Sequence, residues 1–176
     1  MIESKKYIPE GFRVLNKTKF RIAVINYLGN TGKSIVSDYL LRLYMDLECH
    51  YVINNMEVYN KTYSDEIVLS GESFNEVLKA LVNIDSAIVD IAAHNTEYVI
   101  DIMQNNSNSH KVFDYFLVPV IKGRKESEDS LNTIKALLKI GVPPKSIKII
   151  FNKNKNLEII DDKFGYLLSH LDELEI

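Results

Sequence analysis

Two patterns of hydrophobic and polar positions alternate along the chain. Short apolar runs of the kind found in buried strands occupy residues 20–26, 50–54, 86–91, 112–121 and 146–151. Between them, apolar residues recur every three or four positions, which is typical of helices packed on one side. Helices are predicted at 33–47, from a capping box at Ser73 and Glu76 to Val82, and at 96–104, 126–140 and 164–174.

This alternation predicts an α/β fold in which a mostly parallel, twisted sheet carries helices on both faces. In helix 33–47 the repeat of apolar residues predicts one face packed on the sheet, formed by Val36, Tyr39, Leu40, Leu43, Tyr44 and Leu47. Residues 58–72 are rich in Tyr, Asn, Ser and Asp and are predicted to be irregular. Residues 1–19 form a polar lead-in, and residues 20–176 form a single domain.

Composition narrows the class of protein. The 176 residues are 46% hydrophobic and 26% charged, as in globular proteins that fold in water. A formal net charge of −3 excludes a global field that would attract nucleic acid or a membrane. No apolar run approaches the length of a membrane span. With Cys49 alone, no intrachain disulfide can form, which is compatible with the cytoplasmic location that we expect.

The candidate chemistry lies in the stretch FRIAVINYLGNTGKS, residues 20–34. A strand enters the turn Gly29-Asn30-Thr31-Gly32, which delivers Lys33 and Ser34 to the start of a helix. Backbone N–H groups at such a turn point at an anion, the lysine reaches outer phosphates and the serine hydroxyl ligates Mg²⁺. The usual motif has a glycine where Tyr27 stands, so an ordinary strand-turn-helix remains an alternative.

Polar residues also follow the other predicted strands. Asp90 ends an apolar strand, as in the Walker B pattern, in which the carboxylate holds a water on Mg²⁺. Because parallel strands end at one edge of a sheet, Lys33, Asn55, Asp90 and Asn152 are expected at that edge. Other polar residues near strand ends have both a functional and an ordinary surface interpretation, namely His94, Lys122, Gly123, Arg124 and Lys125.

Four segments resemble one family. They are INYLGNTGKS, IDSAIVDIAAHN, FLVPVIKGRKESEDSLNTIKALLKIGVP and KIIFNK, which together fall within residues 20–153. This combination is similar to StbB-like plasmid stability proteins, small relatives of the ParA/MinD partition ATPases with a P-loop NTPase fold. The resemblance implies an ATP-binding, slowly hydrolysing nucleotide switch in plasmid stability, partition or conjugative transfer.

The resemblance also implies roles for individual residues. Gly29, Asn30, Thr31, Gly32, Lys33 and Ser34 would hold the phosphates, with Lys33 on the β- and γ-phosphates. Ser34 and Asp90 would hold Mg²⁺, and Asn152 would bind adenine. The partners would be a plasmid-encoded DNA-binding adaptor, DNA through that adaptor and, as in ParA relatives, a second copy of the chain. No membrane partner is implied.

Departures from the family pattern leave alternatives open. Leu28 stands where ParA and MinD have a lysine that reaches across the dimer, and Asn30 replaces a glycine. Asn55-Met56-Glu57 stands where relatives carry Asp-x-Asp. Asn55 cannot act as a base, so Glu57 is the acid that remains in this segment. The catalytic candidates are therefore Lys33, Glu57 and Asp90. Relatives continue beyond the position of Asn152 with structure that closes the base pocket, which leaves three explanations for this chain: a truncated form, a diverged short member or a decayed copy. A non-catalytic interaction module is the first alternative function, and a small-molecule kinase or ATP-dependent ligase is the second.

Overall fold

A single sheet of six strands organises the chain. The computed structural model describes residues 19–55, 60–153 and 160–176, with the side chains of 160–163 outside that description. All the pairings of these strands are parallel, and the order across the sheet is β3-β2-β4-β1-β5-β6. The strands are β1 (Arg21–Val24), β2 (Cys49–Ile53), β3 (Glu66–Leu69), β4 (Ala87–Ile91), β5 (Tyr115–Val120) and β6 (Ile147–Phe151).

In the part of the chain that the structure describes, five helices connect or follow these strands. The first, α1, is built from three consecutive segments, which are α-helical at Lys33–Ile35, π-helical at Val36–Leu41 and α-helical again at Arg42–Tyr44. The others are α2 (Phe74–Leu81), α3 (Thr96–Asn105), α4 (Arg124–Lys139) and α5 (Ile160–Glu173). The predicted α/β class, with a parallel sheet and the strand-loop-helix order of a P-loop protein, is confirmed. No helix in the described ranges is long and apolar enough to cross a bilayer.

Two predictions for residues 58–76 were wrong. The segment 58–72 was predicted to be irregular, but it contains the edge strand β3, whose four residues pair with β2 from His50↔Glu66 to Ile53↔Leu69. A strand of four residues between polar residues is too short to show a clear alternation of apolar and polar positions. Ser73 precedes α2 without the side-chain hydrogen bond that a capping box requires. The predicted lead-in lies, apart from Lys19, outside the described residues.

The crossovers distribute the helices unevenly over the two faces. From β3 to β4, β4 to β5 and β5 to β6 the chain moves across the sheet in one direction, and from β1 to β2 it moves in the other. Because parallel crossovers are right-handed, the first three place α2, α3 and α4 on one face and the last places α1 on the opposite face. The main core lies under α2, α3, α4 and α5, whereas a much smaller apolar cluster lies under α1.

The predicted burial of the apolar face of α1 was wrong. Val36 is buried, but four of the residues expected to pack on the sheet are exposed, namely Tyr39, Leu40, Leu43 and Tyr44. The reason is the π-helical segment, whose wider turn rotates side chains away from the positions that a 3.6-residue period assigns. Ser37 and Asp38 turn inward instead and are buried.

A partly buried cluster of charged and polar side chains links α1 to β2 and to the exposed Asp65, which directly precedes β3. The Asp38 carboxylate lies 3.8 Å from Nδ1 of His50, which also accepts a hydrogen bond of 3.0 Å from Arg42. Arg42 in turn makes a bidentate pair with Asp65, at 2.7 and 2.6 Å. Burial lowers the pKa of His50, although the charge of Asp38 opposes this, so the ring is neutral at neutral pH. The cluster fixes α1, and the loop before it, relative to the sheet.

Candidate phosphate-binding site

The loop between β1 and α1 is anchored by Asn26, whose side chain is fully buried. Its amide group donates to the Pro119 carbonyl (2.9 Å) and the Ser130 hydroxyl (3.0 Å). Its carbonyl oxygen accepts from the backbone N–H of Leu28 (2.9 Å) and from the Thr133 hydroxyl (3.2 Å). One side chain therefore joins the start of the loop to β5 and α4.

The conformation of the loop requires Gly32. Its φ of +91° lies in the left-handed region, and a Cβ there would collide with the amide group of Asn152. That amide group donates to the Thr31 carbonyl at 2.8 Å, so the end of β6 braces the loop. Asn30 also has a positive φ, of 58°, which asparagine tolerates better than most residues. A Cβ on Gly29, in contrast, would meet nothing within 4 Å.

The ammonium group of Lys33 lies inside the loop. Nζ donates to the carbonyls of Asn26 (3.2 Å) and Leu28 (2.9 Å), and the residue is only 7% exposed. Burial lowers the pKa of Lys33 to about 8, while the nearby charge of Asp90 opposes that shift. The loop therefore supplies its own oxygen atoms to a cation at the place where the sequence predicts phosphate.

Ser34 and Asp90 form the pair predicted to hold Mg²⁺. Asp90 lies in β4, paired with Val24 of β1 and Val52 of β2, and is 3% exposed. Burial raises the pKa of Asp90 to about 6, although a hydrogen bond from Ser34 and the charge of Lys33 lower it. A hydroxyl and a carboxylate in contact, beside a neighbouring lysine, are oxygen donors of the kind that Mg²⁺ takes in phosphate sites.

A cavity of about 500 Å³ opens over the loop. It is lined by Gly29, Asn30, Gly32, Lys33, Ser34, Ile35, Ala93 and Lys153. Its size lies within the range of small-molecule sites, and its floor is the amino end of α1. Lys153 reaches it from the end of β6, where its Nζ donates to the Asn30 carbonyl at 2.7 Å. Two ammonium groups thus bind carbonyl oxygens of the same loop.

The structure brings most of the predicted residues together, but not all in the predicted way. Asn152 lies against the loop, with its amide group on Thr31 and its carbonyl oxygen accepting from the backbone N–H of Lys153, so its adenine contact stays a prediction. Asn55 accepts from Gly71 (2.6 Å) and Asn95 (2.8 Å) and thereby ties together strand ends. Glu57 lies outside the described residues.

The four basic or histidine candidates, His94, Lys122, Arg124 and Lys125, are exposed and do not line the cavity. His94 accepts a hydrogen bond of 3.3 Å from the backbone N–H of Asn55. Arg124 pairs with Glu128 at 3.4 Å and lies over the ring of Tyr166.

Sequence reasoning missed Asn26 and Lys153. The sequence does contain a feature that could have indicated Asn26, since this polar residue ends an otherwise apolar strand. Such a residue, if buried, must find several hydrogen-bond partners. Lys153 directly follows Asn152, but nothing in its sequence position indicates that it turns back to the loop. A positive φ of 54° at Lys153 produces that turn.

Among known proteins, the chain is similar to solved structures, and the similarity is weak. No protein-family model matches the sequence, and no curated protein does. The chain is similar to Cyanothece McdA without nucleotide, at 12% identity and a TM-score of 0.46, over 88% of this chain and 81% of that one. It is also similar to a substituted Cyanothece McdA in complex with ATP, at 15% identity and a TM-score of 0.47, over 90% and 80%. Function is therefore inferred below from the residues of the site.

Replacing Asn26 with alanine should destabilise the protein by about 3 kcal/mol, because it leaves several buried partners without hydrogen bonds. Urea denaturation followed by circular dichroism measures this loss. Asn106→Ala is the matched control, since Asn106 makes an exposed amide–amide hydrogen bond to Asn75. A loss for Asn26→Ala no larger than that of the control would contradict the anchoring role.

Replacing Asp90 with asparagine should stabilise the protein increasingly as pH rises. The pKa of about 6 in the folded protein lies above the ordinary value of 3.8 for an aspartate, so the wild type loses stability relative to the variant as pH rises between these values. Above pH 6 the gain should be on the order of 2–3 kcal/mol. Denaturation in EDTA at pH 4, 5, 6 and 7.5 measures it.

Asp46→Asn, at an exposed acid after α1, is the control for a general effect of removing one negative charge. If the difference in unfolding free energy between the Asp90 variant and wild type stays constant across this pH range, the surroundings of Asp90 do not disfavour its charged form.

Proposed function

We propose that this chain binds ATP through the loop Gly29–Ser34 and acts as a slowly hydrolysing nucleotide switch. One observation carries the proposal: the ammonium groups of Lys33 and Lys153 both bind carbonyl oxygens of a single loop beneath a 500 Å³ cavity. Two cations in one loop, at the amino end of a helix, favour a polyanionic ligand such as a triphosphate.

Each ligand group has a residue suited to it. The loop N–H groups and the amino end of α1 would face the phosphates, and Lys33 would exchange its two carbonyl partners for phosphate oxygens. Lys153 is positioned to do the same from the opposite wall of the cavity. Ser34 and Asp90 would hold Mg²⁺, which, when bound, neutralises charge on the phosphates. The lowered pKa of Lys33 would rise again on contact with a polyanion.

The lining of the cavity favours slow hydrolysis. The described residues that line it include no carboxylate, and Asp90, which contacts Ser34 of that lining, is assigned to Mg²⁺, so we expect no efficient general base from the described part of the chain. Asn55, at the edge where relatives carry acids, is neutral and already holds Gly71 and Asn95. Glu57 remains the proposed source of a base in this chain, and an activating partner is the other.

The non-catalytic interaction module is the second candidate, and the same cavity lining favours it, since binding does not need a base. The kinase or ligase alternative has less support, because its clamps, Lys122 and Arg124, do not line the cavity. A role in plasmid stability or transfer, in the cytoplasm, through a DNA-binding adaptor, rests on the sequence resemblance. Retention of a plasmid that carries the wild-type or the Lys33→Ala gene tests that role.

Replacing Lys33 with alanine should weaken the binding of a fluorescent ATP analogue at least tenfold, because the variant loses the buried phosphate ligand. Titrations with and without Mg²⁺ measure this, and wild-type affinity should fall as pH rises through about 8, where Lys33 loses its charge. Lys122→Ala removes an exposed lysine outside the cavity and is the matched control. Equal affinity of the Lys33 and Lys122 variants would reject the site.

Replacing Lys153 with alanine should weaken the same binding several-fold without reducing stability, since its ammonium is exposed. The measurement is the same titration, paired with thermal unfolding. An unchanged affinity would leave Lys153 as a brace of the loop rather than a ligand.

Phosphate release measured in parallel separates the two candidate functions. Release above that of the Lys33→Ala variant supports the slow ATPase, and Mg²⁺-dependent binding without release supports the non-catalytic module. A folded wild type that does not bind the analogue would overturn the nucleotide switch and leave the non-catalytic interaction module, which does not require nucleotide.

A further inference from the structure

Helix α1 exposes a stripe of large apolar side chains. Exposed fractions along this apolar stripe are 56% for Ile35, 58% for Tyr39, 43% for Leu40, 57% for Leu43 and 49% for Tyr44. Only three other large apolar residues in the described part of the chain are comparably exposed, and they are scattered over other elements. A contiguous apolar surface of this kind marks a place that another segment covers.

The sheet beside the stripe is also thinly covered. On the face where α1 lies, β5 and β6 present Tyr115, Leu117 and Ile150, and the small cluster that contains them receives no helix other than α1 from the described residues. Tyr115 and Ile150 are partly exposed, and Lys148 extends over the ring of Tyr115. Within residues 19–55, 60–153 and 160–176, four helices cover the opposite face, whereas α1 alone covers this one.

The chain enters the fold at this place. The ring of Phe20 packs edge-on against Tyr115, with centroids 5.3 Å apart, and lies in the same small cluster as Leu41 and Leu47. Lys19, directly before it, lies 3.7 Å from Glu48 and 3.9 Å from Asp85. Residues 1–18 therefore join the described structure near the carboxyl end of α1, which we call the foot of the stripe. This junction lies on the face of the sheet that α1 covers.

The composition of residues 1–18 matches that surface. The segment carries apolar side chains in its first and second halves, namely Ile2, Tyr7, Ile8, Phe12, Val14 and Leu15. It has four basic and two acidic residues, whereas the foot of the stripe carries exposed acids at Asp46, Glu48 and Asp85. The stripe spans about 14 Å at 1.5 Å per residue, which 18 residues can cover in any conformation.

We propose that residues 1–18 dock on the apolar stripe and the adjoining β5–β6 surface and extend the layer that α1 forms on this face. The basic residues then lie near the acids at the foot of the stripe, and the apolar residues cover Tyr39 and Leu43. Ile35, at the other end of the stripe, lines the phosphate cavity, so the docked segment borders the proposed site. The proposal does not depend on nucleotide binding.

Hydrogen exchange of the full chain tests the docking. Amides within residues 2–15 should exchange at least tenfold more slowly than in the free peptide, and the double variant Tyr39→Ser, Leu43→Ser should remove that protection. The matched control is Val82→Ser with Tyr98→Ser, two exposed apolar residues that belong to other elements. Unprotected amides in the wild type, or protection that survives in the stripe variant, would overturn the proposal.

Cross-linking identifies the occupant. In a Cys49→Ser background, Phe12→Cys with Tyr39→Cys should close an intramolecular disulfide about tenfold faster than Phe12→Cys with Val82→Cys. Mass spectrometry of the non-reduced protein measures both. Equal rates would overturn the proposal. Disulfide-linked dimers formed by Tyr39→Cys alone, faster than the intramolecular bond, would assign the stripe to a second copy of the chain and would also overturn it.

Discussion

The buried charge of Lys33 is the constraint on which the site depends. An ammonium removed from water must be paired or hydrogen-bonded, and in this structure its partners are the carbonyls of Asn26 and Leu28. The loop is therefore wound around a cation that its own backbone satisfies. An anion bound to Lys33 would replace those carbonyls, so the proposed binding would be linked to the path of the loop. The hydrogen bonds of Asn26 would keep the start of the loop in place.

The same helix carries the site and covers one face of the sheet. Lys33 and Ser34 lie in the first turn of α1, Asp38 and Arg42 belong to the cluster that links α1 to β2 and Asp65, and the outer surface of α1 is the apolar stripe. The π-helical segment makes these roles compatible, because its wider turn directs Asp38 inward and Tyr39 outward. A change in what covers α1 thus reaches the phosphate cavity through a single element.

Strong local signals made the central part of the fold predictable from sequence. Alternating apolar runs and helical repeats located five of six strands and all five helices, and Gly32-Lys33-Ser34 located the loop. The predictions failed where tertiary contacts override the local period. β3 is a short edge strand recognisable mainly through its pairing with β2, and the burial of α1 was misassigned because a π turn leaves no periodic signal. Asn26 and Lys153 act through residues more than 90 positions away.

The position of Lys153 bears on the proposed binding of phosphate. The ParA-type loops that the sequence resembles carry a lysine that reaches across a dimer, and Leu28, at the matching position, cannot replace it. Here Lys153 of the same chain brings an ammonium group to the loop, 2.7 Å from the carbonyl of Asn30. The positive φ of Lys153 and the brace between Asn152 and Thr31 hold it there. Under the proposed function, this second cation would let one chain supply the phosphate site without a partner's lysine.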